Sequence, residues 1–208
     1  HVGEIAMAKS FFRAAAAACF ILFSVCAARG GVRYVATTGS DTGGDGTAAN
    51  PWRTITHAIT SATTAEGDEI RVGGGLYEES VTNNVLLGGK HGLVFKGGYK
   101  ADWTRDLRNS PTTVKPPSAA LPCWIIENSA SNRVSGFVLT GGKFGIVPRG
   151  ITTRTSPCDI AKLYTILSQL VITNNAVDGV LIGSVSKANY QYCSDCVIAS
   201  SLIAGNGG

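Results

Sequence analysis

The stretch that decides the fold is VATTGSDTGGDGTAANPWRTITHAI, from Val35 to Ile59. Its first half is rich in Asp and Gly, which is the composition of either a ligand loop or a tight turn. Asp41 and Asp45 match two positions of a calcium-loop template, but Gly43 and Trp52 occupy positions where that template needs oxygen ligands. Since Asp and Gly also suit turns with positive φ, the pattern favours a structural turn, with calcium as the alternative.

The second half of this stretch predicts one short amphipathic helix. Asn50 is suited to the N-cap and Pro51 to the first helical position. We expect the helix to run to about Ala65. The apolar residues that share one face at helical spacing are Trp52, Ile55, Ala58, Ile59 and Ala62. Ahead of the loop, the alternation in VRYVAT predicts a strand from Val32 to Thr37.

Composition favours an all-β protein. Glycine is abundant, at 26 of 208 residues, whereas the residues that build surface helices are sparse. The net charge of +4 is too small and too scattered to predict a nucleic-acid partner.

The beginning of the chain has the pattern of an export signal. Met7 is followed by Lys9 and Arg13, and then by an apolar run over residues 14–25. The run is shorter than the roughly 20 residues of a spanning helix, so we expect residues 7–28 to be a cleaved signal rather than an anchor. Residues 1–6 are interpreted as translated upstream sequence. The mature protein is therefore predicted to be secreted, periplasmic or on the cell surface, without a transmembrane span, and a lipid anchor at Cys26 is the weaker alternative.

Four cysteines remain after removal of the signal. In an exported protein they favour disulfides, and sequence alone leaves the three pairings open. Histidines are too few for a zinc site, so no metal ligands are predicted from this set. The four cysteines are Cys123, Cys158, Cys193 and Cys196.

A weak repeat follows the helical segment. The pair Gly141-Gly142 recurs as Asn174-Asn175 and again as Gly205-Asn206, each time after an aliphatic run. A β-rich unit that returns at such intervals is typical of a solenoid, whose coils bury apolar faces by stacking. Recurring asparagines at equivalent turns favour a ladder of stacked amides, so Asn174, Asn175 and Asn206 are predicted to be structural.

Specific motifs give this pattern a family resemblance. The stretch YVATTGSDTGGDGTAANPWRTITHAI and the following GDEIRVGGGLYEESV, with Gly75, Tyr77 and Glu78, resemble the start of right-handed parallel β-helix proteins of the pectin-lyase-like group. GGYKADWTRDL, over residues 97–107, also resembles a feature of bacterial members. The close resemblance covers about Tyr34 to Asp106, and the later repeats match only in style.

The resemblance implies an all-β, right-handed parallel β-helix solenoid with a short N-terminal capping helix. Residues 29–66 would form the first strand and the cap, and residues 67–208 would form coils that continue beyond Gly208. The cap would shield the first coil through its packing residues Pro51, Trp52, Ile55 and Ile59. A monomer is expected.

The resemblance leaves two classes of function open. One is a protein that binds or processes polysaccharide, which as an enzyme would be a polysaccharide lyase or a glycoside hydrolase. The other is a non-catalytic, adhesin-like surface protein. Basic residues in the loops favour an anionic polysaccharide partner: Lys100, Arg105, Arg108 and Lys115.

No catalytic residue is predicted. The charged residues of the insertions and later repeats have no spacing that forces two carboxylates, or an acid and a base, into one cleft. No cofactor is predicted, and calcium remains only as the alternative for the Asp41 and Asp45 loop. The charged residues considered are Lys100, Asp102, Arg105, Asp106, Lys143, Asp159 and Asp178.

Overall fold

The computed structural model describes residues 30–149, 164–182 and 195–207. The predicted signal over residues 7–28 lies outside the described residues, as do Cys158, Asp159 and Cys193.

The described residues form fifteen strands in three sheets, and every strand pair is parallel. Sheet A contains, in spatial order, β1 (Val32–Val35), β2 (Glu69–Gly73), β5 (Val94–Tyr99), β8 (Asn132–Ser135), β11 (Tyr164–Ser168) and β14 (Asp195–Ala199). Sheet B contains β3 (Gly75–Tyr77), β6 (Thr112–Val114), β9 (Phe137–Thr140), β12 (Val171–Thr173) and β15 (Leu202–Ala204). Sheet C contains β4 (Val81–Asn84), β7 (Trp124–Glu127), β10 (Phe144–Pro148) and β13 (Asp178–Val180).

From β2 onward the chain visits sheets A, B and C in turn and then repeats that circuit. Each strand pairs with the strand three positions along the chain, so successive circuits lie side by side in register. The chain is therefore all-β, and its arrangement of parallel sheets is compatible with a parallel β-helix.

The register places equivalent apolar side chains in rows that point inward. In sheet A, Ile70 pairs with Phe95, Phe95 with Val134, and Val134 with Leu167. All four side chains are fully buried. Because the side chains of a strand alternate between its two faces, the residues between them form the outer face of the sheet.

Three aromatic side chains join the sheets at the centre of the core. The Trp124 ring of sheet C lies edge-to-face with Phe95 of sheet A, with 5.0 Å between centroids, and with Phe137 of sheet B, with 5.1 Å. This cluster therefore connects two neighbouring circuits as well as the three sheets.

The N-terminal helix exists but is shorter than predicted. Helix α1 spans Ile55–Thr60, and its N-cap is Thr54, whose hydroxyl accepts a hydrogen bond from the His57 amide. The predicted helix from Pro51 to about Ala65, capped by Asn50, is therefore wrong in its bounds.

Strand pairing explains the late start of α1. The Trp52 amide donates to the Tyr34 carbonyl at 3.0 Å, and Trp52 forms a parallel bridge with Val35. An extended backbone at this position excludes the helical conformation. On the buried side of α1, Ile55 and Ile59 are fully buried and pack in the same core cluster as Trp52.

Helices are otherwise short in the described ranges. A single 3-10 turn, Val85–Leu87, follows β4 and leaves the side chains of Leu86 and Leu87 exposed. Within residues 30–149, 164–182 and 195–207, no helix has the length and apolar character needed to cross a membrane.

Candidate functional site

A cleft of about 370 Å³ opens beside the N-terminal end of the sheets. We call it the Trp103 cleft. Its walls come from the loop after β1, the corner between sheets A and B, and the turn after β5. Its lining residues are Ala36, Thr37, Thr38, Ala48, Ala49, Pro51, Gly73, Gly74, Tyr99, Lys100, Ala101 and Trp103.

A tight turn after β5 presents Trp103 to this cleft. The Lys100 amide donates to the Thr104 carbonyl at 2.9 Å, and the Trp103 amide donates to the Lys100 carbonyl at 3.0 Å. Trp103 has a φ of 60°, a left-handed conformation that is uncommon for a large side chain. Asp102 holds the turn because its carboxylate accepts from the Thr104 amide and hydroxyl, and these bonds lower the pKa of Asp102.

The Trp103 side chain is held on several sides. Its Nε1 donates to the Ala48 carbonyl at 3.1 Å, which ties the turn to the loop after β1. The centroid of its ring lies 4.6 Å from the centroid of the Tyr34 ring and 6.3 Å from that of the Tyr99 ring. The Arg71 guanidinium lies 5.8 Å from the Tyr34 ring and 5.5 Å from the Tyr99 ring. Edge-to-face, tilted and cation–π contacts of this kind hold the rings in place.

Lys100 is the charged residue among those that line the Trp103 cleft. Its Nζ lies 3.1 Å from Asp106 Oδ2, and its side chain is 47% exposed. Hydrogen bonds from Asn109, followed by the contact with Lys100, lower the pKa of Asp106 to about 2. The ammonium group has three donors, so this one ion pair leaves donors for a ligand.

The other basic residues predicted to contact a glycan do not line this cleft. Arg105 donates from Nε to the Gly97 carbonyl at 2.9 Å and from Nη2 to Ser135 Oγ at 3.0 Å, so it anchors the loop. Arg108 and Lys115 are exposed outside the cleft lining.

A second cleft, of about 290 Å³, adjoins the first at Thr37, which lines both. We call it the Arg53 cleft. It is lined by Thr37, Arg53, Thr54, Leu76, Tyr77, Glu78 and Glu79. The Tyr77 hydroxyl points away into the core, where it donates to the Gly73 carbonyl at 3.1 Å, and burial raises the pKa of Tyr77.

Glu79 is engaged by the start of α1. Its Oε1 accepts from the Ile55 amide at 2.8 Å, and its Oε2 accepts from the Thr56 amide at 2.9 Å and the Thr56 hydroxyl at 2.6 Å. A carboxylate at a helix N-terminus satisfies otherwise unpaired amides. Glu78, by contrast, is exposed.

The loop considered for calcium uses its carboxylates on the chain itself. Asp41 accepts from the amides of Arg53 and Thr54 and from the Thr54 hydroxyl, at 2.8 to 3.0 Å. Asp45 accepts from the Thr47 amide at 2.9 Å, and these bonds to Thr47 lower the pKa of Asp45. Among the described residues, no group of three or more His, Cys, Asp or Glu side chains converges as a metal site.

Two of the three predicted ladder residues, Asn175 and Asn206, meet at the corner between sheets B and C. The Asn175 Oδ1 accepts from the Gly142 amide at 3.1 Å, and the Asn206 Oδ1 accepts from the Asn175 amide at 3.1 Å. The Asn175 Nδ2 donates to Asn206 Oδ1 at 3.0 Å. Asn174 has a different place, because it occupies the preceding turn position with a φ of 55°, equivalent to Gly141 and Gly205.

Cys123 lies buried beside this ladder as a thiol. Its Sγ donates to Asn175 Oδ1 at 3.3 Å, and burial raises the pKa of Cys123 to about 11. Cys196 is half-buried on β14. Cys123 is a free thiol, whereas Cys158 and Cys193 lie outside the described residues, so a disulfide between those two, or from either of them to Cys196, stays a prediction.

Among the described residues, the remaining charged candidates are Lys143 and Asp178. Lys143 lies over the Phe144 ring at 5.5 Å, and Asp178 pairs with Phe144 along β10. Among the described residues that line the two clefts, the carboxylates are Glu78 and Glu79, and Glu79 is held by α1. The clefts therefore offer groups for binding rather than a pair of unengaged acids.

No protein-family model, no curated protein and no solved structure gives a significant match to this chain. Its function is therefore inferred from the geometry of its own residues.

Sequence reasoning missed the aromatic group around Arg71 and the role of Glu79. Tyr34 and Arg71 are directly paired on β1 and β2, so their alternation in VRYV and EIRV was an available signal. The contact of Glu79 with α1, which lies 23 or 24 residues away in the chain, had no local signal.

Proposed function

We propose that this chain is an exported, right-handed parallel β-helix solenoid of the pectin-lyase-like type that binds an anionic polysaccharide. The circuit through sheets A, B and C supports the solenoid, as do the motifs between Tyr34 and Val81. Helix α1 would serve as its N-terminal cap, since Ile55 and Ile59 cover the apolar end of the first circuit.

The observation that carries the binding function is the Trp103 cleft. Its volume lies within the range of about 300 to 1,000 Å³ that is usual for ligand pockets. It joins an aromatic wall, Trp103, to a cation, Lys100, and to polar Thr37 and Thr38. The C–H face of a sugar ring packs on an aromatic side chain, and an ammonium group binds the carboxylate of an acidic sugar.

Binding without cleavage is the form of this function that the side chains favour. Cleavage of a glycosidic bond needs two free carboxyl groups, or a base beside an acidic sugar. Near the clefts, Asp41, Asp102, Asp106 and Glu79 all accept hydrogen bonds from the chain itself. Because these carboxylates are held by the chain itself, they also support the second candidate, a non-catalytic surface protein that displays a rigid scaffold.

Calorimetry on the full chain with polygalacturonate tests the binding function. We expect Trp103→Ala and Lys100→Ala each to weaken binding by about tenfold, a loss of about 1.4 kcal/mol. Arg108→Ala is the matched control, because it removes a positive charge from the same loop outside the cleft, and it should bind as the wild type does.

An absorbance assay for unsaturated product, with and without calcium, separates binding from lyase activity. Binding without product supports the non-catalytic form. Product formation overturns it in favour of a lyase. If neither polygalacturonate nor any other acidic glycan binds, or if Arg108→Ala weakens binding as much as the cleft variants do, the proposed function is wrong.

A further inference from the structure

The two clefts adjoin each other at one shared lining residue. Thr37 lines both, and its side chain is exposed between them. A ligand that fills the Trp103 cleft and extends past Thr37 therefore enters the Arg53 cleft. Together the clefts have room for more than one unit of a chain.

The two clefts differ in charge. Lys100 is the charged group of the Trp103 cleft, and no carboxylate is among its described lining residues. The Arg53 cleft contains Arg53, Glu78 and Glu79. Because Glu79 is satisfied by three donors of α1, the groups left for a ligand are the exposed Arg53 guanidinium and the exposed Glu78 carboxylate.

The Arg53 cleft also has an apolar surface. Leu76 lies on the outer face of sheet B and is 50% exposed. A surface with one donor, one acceptor and one apolar side chain matches a neutral sugar, which has hydroxyl groups and a C–H face. With Arg53, Glu78 and Glu79 the Arg53 cleft carries two negative charges against one positive charge, and this excess disfavours a second uronate relative to a neutral sugar.

From this difference we propose that the groove binds a heteroglycan in which an acidic unit is followed by a neutral one. The acidic unit occupies the Trp103 cleft with its carboxylate on Lys100. The neutral unit occupies the Arg53 cleft, where Glu78 accepts and Arg53 donates hydrogen bonds to its hydroxyls. This inference rests on the proposed function, since it extends the same site from a single acidic sugar to an ordered pair.

Two soluble probes of equal length test whether a neutral unit is preferred beside the acidic one. One is a tetrasaccharide that alternates glucuronate with a neutral N-acetylated hexosamine, and the other is a tetrasaccharide of galacturonate alone. We expect the wild type to bind the alternating probe about tenfold more tightly. Both probes offer a uronate to Lys100, and the variant Glu78→Gln then shows how much of the difference arises in the Arg53 cleft.

The variant Glu78→Gln tests the origin of the preference. It removes the like charge and keeps the size of the side chain. We expect it to bind the galacturonate probe more tightly and the alternating probe more weakly than the wild type, which reduces the preference by about tenfold. Glu66→Gln is the matched control, because Glu66 is exposed and lines neither cleft, and it should keep the wild-type preference.

The outcomes distinguish this inference from the proposed function. If the galacturonate probe binds as well as or better than the alternating probe, the inference is wrong and the proposed function stands. An equal effect of Glu78→Gln on both probes also overturns it. If neither probe binds, both are wrong.

Discussion

At the scale of single residues, Asn175 is a polar side chain buried at the corner between sheets B and C, where its contacts are hydrogen bonds. It is only 2% exposed, yet each polar atom of its side chain has partners. Its Oδ1 accepts from Gly142 and Cys123, and its Nδ2 donates to the Leu139 and Thr173 carbonyls. Such contacts satisfy backbone groups that the turn between two strands leaves unpaired.

Replacing Asn175 with alanine should destabilise the fold. The change leaves the buried Gly142 amide and two carbonyls without their partner, and an unsatisfied buried group costs about 1 to 3 kcal/mol. We expect the free energy of unfolding to fall by about 2 to 4 kcal/mol in urea titrations. Asn174→Gly is the control, because glycine adopts the same left-handed φ without strain, and it should change stability by less than about 0.5 kcal/mol. Equal losses in the two variants would contradict the amide role.

A comparable polar group at the corner between sheets C and A was not predicted. Asn83 donates to Asn132 Oδ1 at 3.0 Å and to Ser129 Oγ at 3.1 Å, and all three side chains are buried. The doublets at residues 174–175 and 205–206 stand out because they repeat at similar intervals. Asn83 and Asn132 are 49 residues apart and have different neighbours in the sequence, so no repeated motif indicated that they would meet.

At the scale of elements, the helix and the turn after β5 are both determined by distant contacts. Helix α1 begins after Trp52 because that residue pairs with β1, and local propensity has no information about this pairing. The apolar positions Ile55 and Ile59 were predictable, since their spacing depends only on the helical period. The position of Trp103 was not, because it depends on contacts with Ala48 and Tyr34.

The turn after β5 should loosen in acid through Asp106. Its pKa is lowered from 3.8 to about 2, so its contribution to stability is present above about pH 3.8 and is lost as the pH falls toward 2. Two-dimensional NMR can follow solvent exchange of the Trp103 indole N–H, which bonds to Ala48. We expect exchange to speed up across this window relative to the Trp52 indole N–H, which bonds to Gly44 outside the turn.

The variant Asp106→Asn is the control for this effect. It keeps the shape of the side chain but has no carboxylate to titrate at this position, so the difference between the two indoles should change less with pH, and the change that remains comes from Asp102, which also holds the turn and whose pKa is also lowered. An unchanged ratio of Trp103 to Trp52 exchange in the wild type, from about pH 5 to pH 2, would show that Asp106 does not hold the turn.

At the scale of the whole molecule, stability comes from the stacking of each circuit on its neighbours. Strands pair only with equivalent strands of the adjacent circuits, and the inward rows make the core continuous. The all-β class was predictable from composition and the stacking from the recurring turns, whereas the parallel pairing was expected only from the resemblance of the motifs between Tyr34 and Asp106. The lateral contacts that shape the two clefts come from insertions, and these have no repeat to guide prediction.

Trp124 lies at the centre of the core, so its substitution tests how strongly the stacked circuits depend on one another. Its fully buried ring contacts Phe95 and Phe137, and its Nε1 has no hydrogen-bond partner among the described residues, so its role is packing. Trp124→Ala should lower the free energy of unfolding by about 3 to 5 kcal/mol, whereas Leu87→Ala, at a side chain that is 70% exposed, should change it by less than about 0.5 kcal/mol. Because neighbouring circuits stabilise one another, the loss of the Trp124 ring should also make the circuits before it and the circuits after it unfold separately.

Urea titrations would show this separation as a smaller dependence of the unfolding free energy on urea concentration or as a second transition. An unshifted urea midpoint would mean that the aromatic cluster does not couple the circuits.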